Sequence, residues 1–600
     1  MQKANHVFEA LHKLGQRQAP VTRIYRQLFN SNMYLGAYAK IYSNKGALTK
    51  GTDDVTVDGF NTRRIESIIN DMRLEKYRWK PARRTHVQKK SGGQRPLGIP
   101  NFRDRLVQEV IRAMLNAYYE PRFSTNSHGF RPERGCHTAL AQVASQFTGT
   151  KWFIEGDIKG CFDNIDHDIL MAILRNNIQD ERLLNLIKYG LKAGVLENWT
   201  YNQTHSGTPQ GGILSPLLSN IYLDKLDKYV EETLIPKWTR GKRRKSSKSY
   251  KSICHQIEKA RAVGDWTEFD RLKHIQKSMP SQDINDPGYR RLWYVRYADD
   301  YLLGFVGSKK EAEQVKCEIA TFLSEELKLT QSPEKTLITH ATTQQAQFLG
   351  YAISVYHTDE KQSIGASSRV KRRCANGRVR LGIPADFVRK KTQKYFSGNV
   401  ISSRRELTIQ SVAEIIRQHQ QSYRGIAEYY KYAVDRNRLS GLKGVMEVQL
   451  VKTIAHKMKI SVSKVYRQYK ATKIVDGKEY KILRETVETQ KGTYQFDWGG
   501  IPLIRVNPSR ETINDLLRKP TWSAGGELIE RLKANKCEHC GSTTKVEVHH
   551  VRKLADLKKR WAGKREKPKW VKLMITRSRK TIVVCQKCHN DIHHGRLKQN

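Results

Sequence analysis

LWYVRYADDYLLGFV, from Leu292 to Val306, is a pair of apolar runs folded about a polar centre. Short runs of aromatic and aliphatic residues read as buried strands, and the Tyr297-Ala298-Asp299-Asp300 step between them reads as their turn. Aspartate is common in hairpin turns, so the tetrapeptide alone also carries a purely structural reading. Its context weighs against that reading. Two adjacent carboxylates inside an apolar stretch cost free energy unless cations neutralise them. A second segment, WFIEGDI from Trp152 to Ile158, is another apolar strand ending in an acid, Asp157. Three acids on neighbouring strands offer the hard oxygen donors that Mg²⁺ prefers. They suit two ions about 4 Å apart, an arrangement that serves in-line phosphoryl transfer.

Upstream, residues 1 to about 80 read as mainly helical. Val7, Phe8, Leu11 and Leu14 share one helical face, as do Ile65, Ile68, Ile69 and Met72. Ser43 to Gly59 reads as a loop. Arg83 to Pro100 reads as a basic hairpin turning at Ser91-Gly92-Gly93. A helix carrying Leu106, Val110, Ile111, Met114, Leu115 and Tyr118 follows. Ser206 to Pro216 is a Gly/Pro-rich loop. From Pro236 to Pro287 the apolar pattern collapses, and Lys237 to Lys251 is basic without an acid, as expected of a partly helical surface insertion. A second basic stretch, Lys361 to Lys394, precedes an all-helical region with Ile409, Val412, Ile416, Tyr423, Ile426 and Tyr430 at helical spacing, ending near residue 470. A looser segment follows, then a short basic helical region from Arg510 to Lys536.

Six hundred residues exceed one compact core at about 150 residues per domain. Lys+Arg number 108 against 59 Asp+Glu, a net charge of +49. That excess points to a polyanionic partner, nucleic acid before all others. An anionic membrane would call for an apolar helical face or a lipid anchor beside the charge, and neither stands out. No run approaches eighteen apolar residues, which excludes a membrane-spanning helix of the usual kind. Met1 to Pro20 contains Glu9 and has no continuous apolar core, so no secretory signal is expected.

The nine cysteines are unevenly placed: Cys136, Cys161, Cys254, Cys317 and Cys374 are scattered, whereas Cys537, Cys540, Cys585 and Cys588 form two CxxC pairs. Four thiolates at that spacing suit tetrahedral Zn²⁺ in a closed, structural site in a reducing compartment. A second set lies inside it: His549-His550, then His589 and His593, which share a helical face four residues apart. His549, His589 and His593 suit a divalent ion held against a phosphate, leaving His550 as general base on water. His594 beside His593 leaves the ligand choice there open.

Taken with their neighbours, these motifs place the chain. It resembles the group II intron-encoded proteins, which combine reverse transcriptase, maturase and HNH endonuclease, in the form carried by mobile bacterial introns of the lactococcal kind. The likeness runs through Asn44-Lys45-Gly46, Arg95-Pro96-Leu97-Gly98-Ile99-Pro100, His128-Gly129-Phe130-Arg131-Pro132 and Glu155-Gly156-Asp157-Ile158. It continues through Gly207-Thr208-Pro209-Gln210-Gly211-Gly212, Tyr297-Ala298-Asp299-Asp300, Phe348-Leu349-Gly350-Tyr351 and Arg424-Gly425-Ile426-Ala427-Glu428-Tyr429-Tyr430. The resemblance implies that Asp157, Asp299 and Asp300 hold the polymerase Mg²⁺ ions and that Phe162 screens the nucleotide's 2′ position. It further implies that Lys89 or Lys90 and Arg95 contact the triphosphate, that Gln210 lines the nucleotide pocket and that Lys335 neutralises departing pyrophosphate. The C-terminal histidines resemble the ββα-metal (HNH) nucleases, with one departure: Arg579-Lys580-Thr581-Ile582 stands where an asparagine is usual.

The implied fold is multidomain α+β: a right-hand polymerase of fingers and an antiparallel palm sheet, a helical thumb, and a C-terminal ββα-metal zinc module. The implied division is an N-terminal extension (1–80), fingers and palm (81–360, with a basic insertion at 236–290), thumb or maturase domain (361–490), DNA-binding region (491–535) and HNH domain (536–600). The expected partners are the host intron RNA, target DNA and deoxynucleoside triphosphates, with a possible second copy of the chain and no membrane. Lys242, Arg243, Arg244, Lys371, Arg372 and Arg373 are the favoured RNA contacts, and the expected compartment is the bacterial cytoplasm. Two rivals remain: a splicing-only RNA-binding maturase with non-functional enzymatic domains, and a non-intron reverse transcriptase of the retron or defence type.

Overall fold

The computed structural model describes residues 3–44, 46–88, 92–197, 200–202, 207, 211–358, 363–364, 371–372, 376–489, 492–508, 526–554, 556–557, 561, 567–577 and 579–597, with 200–202, 363–364 and 371–372 as backbone alone. The two apolar runs form the strands Arg291–Tyr297 and Asp300–Val306. With Trp152–Asp157 and Leu337–His340 they make a four-stranded antiparallel sheet, ordered Leu337–His340, Trp152–Asp157, Asp300–Val306, Arg291–Tyr297. Successive side chains leave a strand on opposite faces. Accordingly Ile154, Tyr301, Leu303 and Phe305 enter the large core shared with the helices Ser215–Lys228 and Lys309–Glu325. Phe153, Val295 and Leu302 enter a second core with Phe348, Tyr351 and Tyr430. Burial of both faces explains why these strands read as continuous apolar runs rather than alternating ones.

The N-terminal region is helical as expected, with Ala4–Gln16, Ser31–Ile41 and Thr62–Arg73. Strands Ala82–Gln88 and Gln94–Ile99 form the predicted basic hairpin. The insertion contains two helices, Lys248–Val263 and Trp266–Ser278, closed around a small core of Ile257, Ala260 and Leu272.

Beyond the sheet, helices Val412–Tyr429, Leu439–Met458 and Val462–Tyr469 pack around Ile415, Tyr423, Met446 and Leu450. Two expectations fail here. Ile409 precedes the helix, which begins after Ser411 as N-cap, and it stands 88% exposed rather than on the buried face. The segment after residue 470 is not loose: Lys470–Val475, Lys478–Thr489 and Gly492–Gly499 form a three-stranded antiparallel sheet. Its exposed positions are mostly charged or polar but include Ile474 and Tyr494, which blurs the apolar signal, while Trp498 is wholly buried and donates from Nε1 to Glu447 Oε2 at 3.0 Å.

At the C-terminus, strands Val546–His550 and Thr581–Cys585 pair antiparallel and lead into the helix Gln586–His594, a ββα unit. The helix Glu527–Lys533 precedes it, while residues 510–525 of the segment expected to be basic and helical, Arg510 to Lys536, lie outside the described residues. Leu528, Ile529, Leu532, Val546, Val548 and Val583 belong to the same core as the N-terminal helices.

Candidate active sites

The acidic turn is held from behind. Tyr297 lies opposite Asp300 across the hairpin, and Ala298 between them adopts φ +57, a left-handed conformation that costs a residue with a Cβ. Arg296 is the device that fixes it. Its fully buried guanidinium makes a two-pronged ion pair with Asp227, Nε to Oδ1 at 2.7 Å and Nη2 to Oδ2 at 2.6 Å. The same group donates from Nη1 to the Ala298 carbonyl at 2.8 Å and from Nη2 to Ser127 Oγ at 2.9 Å. Asn220 donates to the Gly129 carbonyl at 2.8 Å, and Gly129 lies so close to the turn that a Cβ there would meet the Ala298 nitrogen at 2.4 Å. A buried charge needs such complete pairing to be tolerated.

Register then assembles the acids. Asp157 is the Cα partner of Asp300 on the adjacent strand. Gly156, under the Tyr301 ring, leaves no room for a side chain, since a Cβ would meet the ring at 1.9 Å. Burial, and then the negative charges of Asp299 and Asp157, push the Asp300 carboxyl up to about 7. Burial also raises Asp299, with Asp157 adding to the rise and the cations Arg95 and Lys335 opposing it. Like charges forced together in a poorly solvated place want cations. Lys335 already supplies one, with Nζ at 3.1 and 3.0 Å from the two oxygens of Asp157. The ammonium is paired across the site while its side chain stays 66% exposed. The three carboxylates do not converge on one point as the four-ligand clusters below do. A hard-oxygen donor set spread over two strands fits divalent ions of the Mg²⁺ type better than a single tight soft-metal site.

Phe162 lies in the short helix Cys161–Asn164 after Asp157, half-buried, with its ring 6.4 Å edge-on from Phe130. Arg95 lies on the basic hairpin, near enough to act on Asp299. Lys89, Lys90, Gln210 and Arg373 lie outside the described residues, and Lys371 and Arg372 are described as backbone in a short strand. Lys242 and Arg243 are exposed, and Arg244 lies over the Tyr289 ring at 5.2 Å. At the junction with the helical region, the Leu349-Gly350 turn is gripped from above: Tyr429 donates to the Leu349 carbonyl at 2.6 Å and Tyr430 to the Gly350 carbonyl at 3.0 Å. Tyr423 is plain helix packing, wholly buried.

The C-terminal unit brings together two ligand clusters, each with donor atoms within 4.8 Å of one another. Sγ atoms of Cys537, Cys540, Cys585 and Cys588 form the first, with Cys540 and Cys585 3.7 Å apart. Four thiolates at Zn–S distances in a tetrahedron would be about 3.8 Å apart, so the set fits a closed zinc site. The second cluster joins His549, His589 and His593 to an acid absent from the expected set, Asp58. His589 Nδ1 faces Glu547 Oε1 at 2.5 Å, which turns Nε2 toward the other members of the cluster, as metal-binding imidazoles are usually oriented. The buried Nδ1 of His549 has no hydrogen-bond partner of good geometry, an orphan that an ion would satisfy. His550 is buried beside them, and burial lowers its pKa to about 4, which keeps the ring neutral at ordinary pH.

Several of these residues escaped the sequence. Arg296 had a signal, as the lone charge inside an apolar run. Asp227 and Asn220, on a helix, and Glu547 and Asp58 had none, because their meaning depends on contacts far along the chain.

Comparison with known proteins agrees with this architecture. Residues 87–353 match the family described as reverse transcriptase (RNA-dependent DNA polymerase), 385–499 type II intron maturase, and 537–589 AI2M/AI1M-like HNH endonuclease. The chain is 38% identical over 605 residues to the group II intron-encoded protein LtrA of Lactococcus lactis subsp. cremoris, covering 96% of each. It is 33% identical to the putative COX1/OXI3 intron 1 protein of Saccharomyces cerevisiae, over 95% of this chain and 68% of that one. Protein YkfC of Escherichia coli is 33% identical over 54% of this chain and 81% of its own length. With the acidic turn, the helical region behind it and the ββα unit all in place, the chain belongs to the group II intron-encoded proteins, as a multifunctional member with reverse transcriptase, maturase and HNH endonuclease domains.

Proposed function

We propose that this chain copies its host intron's RNA into DNA from the 3′ end of a nick it makes in target DNA, and that it also binds the intron RNA to promote splicing. The observation that carries the polymerase half is the pairing of Asp157 with Asp300 beside a turn clamped by Arg296. On this reading Asp157, Asp299 and Asp300 hold two Mg²⁺ ions. Bound there, the ions supply the Lewis acidity that activates a 3′-hydroxyl and stabilises the leaving pyrophosphate. The chain's own groups do the rest. Arg95, with Lys89 or Lys90, binds the triphosphate through charge-assisted hydrogen bonds. Phe162 presents an aromatic wall to the sugar's 2′ position, Gln210 lines the nucleotide pocket, and Lys335 exchanges its Asp157 partner for phosphate oxygens.

In the C-terminal module the four cysteines hold structural Zn²⁺, which a unit of this size needs for stability. His549, His589 and His593 hold the nicking ion, and His550 takes the proton of the attacking water. Basic groups at 242–244 and 371–373 track the intron RNA by phosphate contact, so binding falls steeply with salt. The domain division is an extension to residue 80, fingers and palm to 360, thumb to 490, a DNA-binding region to 535 and the nuclease beyond. A bacterial cytoplasmic setting accords with the reduced cysteine sites, and no described helix is long and apolar enough to cross a membrane. Primer extension on an RNA template with Mg²⁺, run beside a splicing assay with the intron RNA, tests the reading. Asp299→Ala should stop cDNA synthesis and leave splicing intact; normal extension by that variant would overturn the metal assignment.

A further inference from the structure

The histidine cluster is partly closed: His549 and His589 are buried, while the His593 side chain stays 52% exposed. The loop before the helix Thr62–Arg73 adds itself to the edge of the nuclease strand Val546–His550: Gly59 donates to the Val548 carbonyl and Val548 donates to the Phe60 carbonyl, both at 2.9 Å. Phe60, wholly buried, stacks on Tyr38 with ring centroids 3.7 Å apart. This places the Asp58 carboxylate among the nuclease histidines. Its Oδ1 lies 3.3 Å from His589 Nε2 and 3.5 Å from His549 Nδ1, and its Oδ2 lies 3.0 Å from His593 Nε2. His593 and His589 are themselves 3.1 Å apart through their Nε2 atoms. Four donors around a tetrahedral ion at Zn–N or Zn–O distances would be about 3.3–3.4 Å apart; here the carboxylate reaches the three imidazoles at 3.0–3.5 Å through its two oxygens, and one donor atom from each residue lies within 4.8 Å of the others. Asp58 Oδ1 also accepts from the His550 backbone nitrogen at 2.7 Å, and the Tyr38 hydroxyl lies 2.7 Å from His550 Nε2.

We infer that Asp58 is a fourth ligand to the nuclease ion, contributed by the polymerase's N-terminal region, and that it occupies the coordination position a DNA phosphate must take. The inference rests on the reading of His549, His589 and His593 as ion ligands. A catalytic site keeps three protein ligands and one open position; here the fourth is filled from within the chain. Tyr38 meanwhile engages the ring that would otherwise meet water. The ion therefore clasps the nuclease to the polymerase in this conformation, and nicking requires Asp58 to yield its place to a phosphate oxygen. The shared core of Leu528, Ile529, Val546 and Val548 with the N-terminal helices keeps the module docked while that exchange is pending.

The test uses the full chain with Mn²⁺ or Zn²⁺ as probe, measuring ion affinity and hydrogen exchange at residues 56–60 and 546–550. Ion binding should raise protection at both segments in the native chain. Asp58→Asn keeps an oxygen for the His550 nitrogen but removes the anionic ligand; it should weaken ion binding by about tenfold or more, abolish the ion-linked protection at 56–60, and raise nicking of DNA by the free protein about tenfold. Asp58→Ala should do the same. If both variants bind the ion and gain protection as the native chain does, Asp58 is no ligand and the inference falls. His593→Ala separates the two layers. It should lose ion binding at this cluster outright; if it does not, the histidine assignment is itself at fault. If it does while the Asp58 variants behave as native, the histidine site stands and only the clasp is lost.

Discussion

The acidic turn at residues 297–300 and the histidine cluster at 549–593 are positioned in opposite ways. The turn faces outward from a four-stranded sheet, and what fixes it lies behind it, in the buried Arg296–Asp227 pair and the close approach of Gly129. The histidines lie on a small ββα unit, and what closes them lies in front, in a carboxylate from near the other end of the chain. The first centre is preorganised by the contacts beneath it. The second is well supplied with ligands and part-covered by Asp58, with His593 still exposed. A chain that joins two phosphoryl-transfer chemistries can thus keep one ready and the other held back by interdomain contact.

The sharpest way to separate the centres is to disable each alone. Asp299→Ala should cost primer extension several kcal/mol of transition-state stabilisation, a loss of about 10³-fold or more, with DNA nicking unchanged. Equal loss of both activities would show that the centres are not independent. His550→Ala should lower nicking by about 10²–10³-fold while extension from a pre-made nick proceeds at the native rate. A smaller effect tests the support rather than the chemistry. Asp227→Ala leaves Arg296 buried without its partner and should destabilise the polymerase unit by about 3–5 kcal/mol, read as a lowered thermal midpoint together with weak extension. An unchanged midpoint would mean that the pair is not the anchor of the turn. Lys335→Ala is the mildest: a rise of about tenfold in KM for the nucleotide, corresponding to one charge-assisted contact, with folding intact.

The same contrast governs what the sequence discloses. The three aspartates are legible because each is a charge where the chain is otherwise apolar, and the cysteines and histidines because their spacing is itself a ligand geometry. Arg296 was visible as an oddity but not interpretable, since Asp227 lies on a helix whose apolar face hides it. Asp58 was beyond reach: it stands in a loop of ordinary turn composition and meets His550 across 492 residues of chain. The sheet at 470–499 was lost for a different reason, because its exposed positions mix polar and charged residues with Ile474 and Tyr494 and only a few large groups, Trp498 among them, are buried, so no regular alternation shows. Local rules report what a residue is surrounded by in sequence, and these features are defined by what comes back from far away.

The insulated arginine under the acidic turn has a genetic corollary. Because Ser127, Asn220 and Asp227 determine how the Ala298 carbonyl is held, an unbiased screen for clones that no longer make cDNA should recover lesions at these positions alongside those at the acids, though all three are buried. Suppressors of such lesions should map as matched pairs across the same network, so that the polymerase's pattern of permitted drift is written in the buried helix and loop residues that back its sheet.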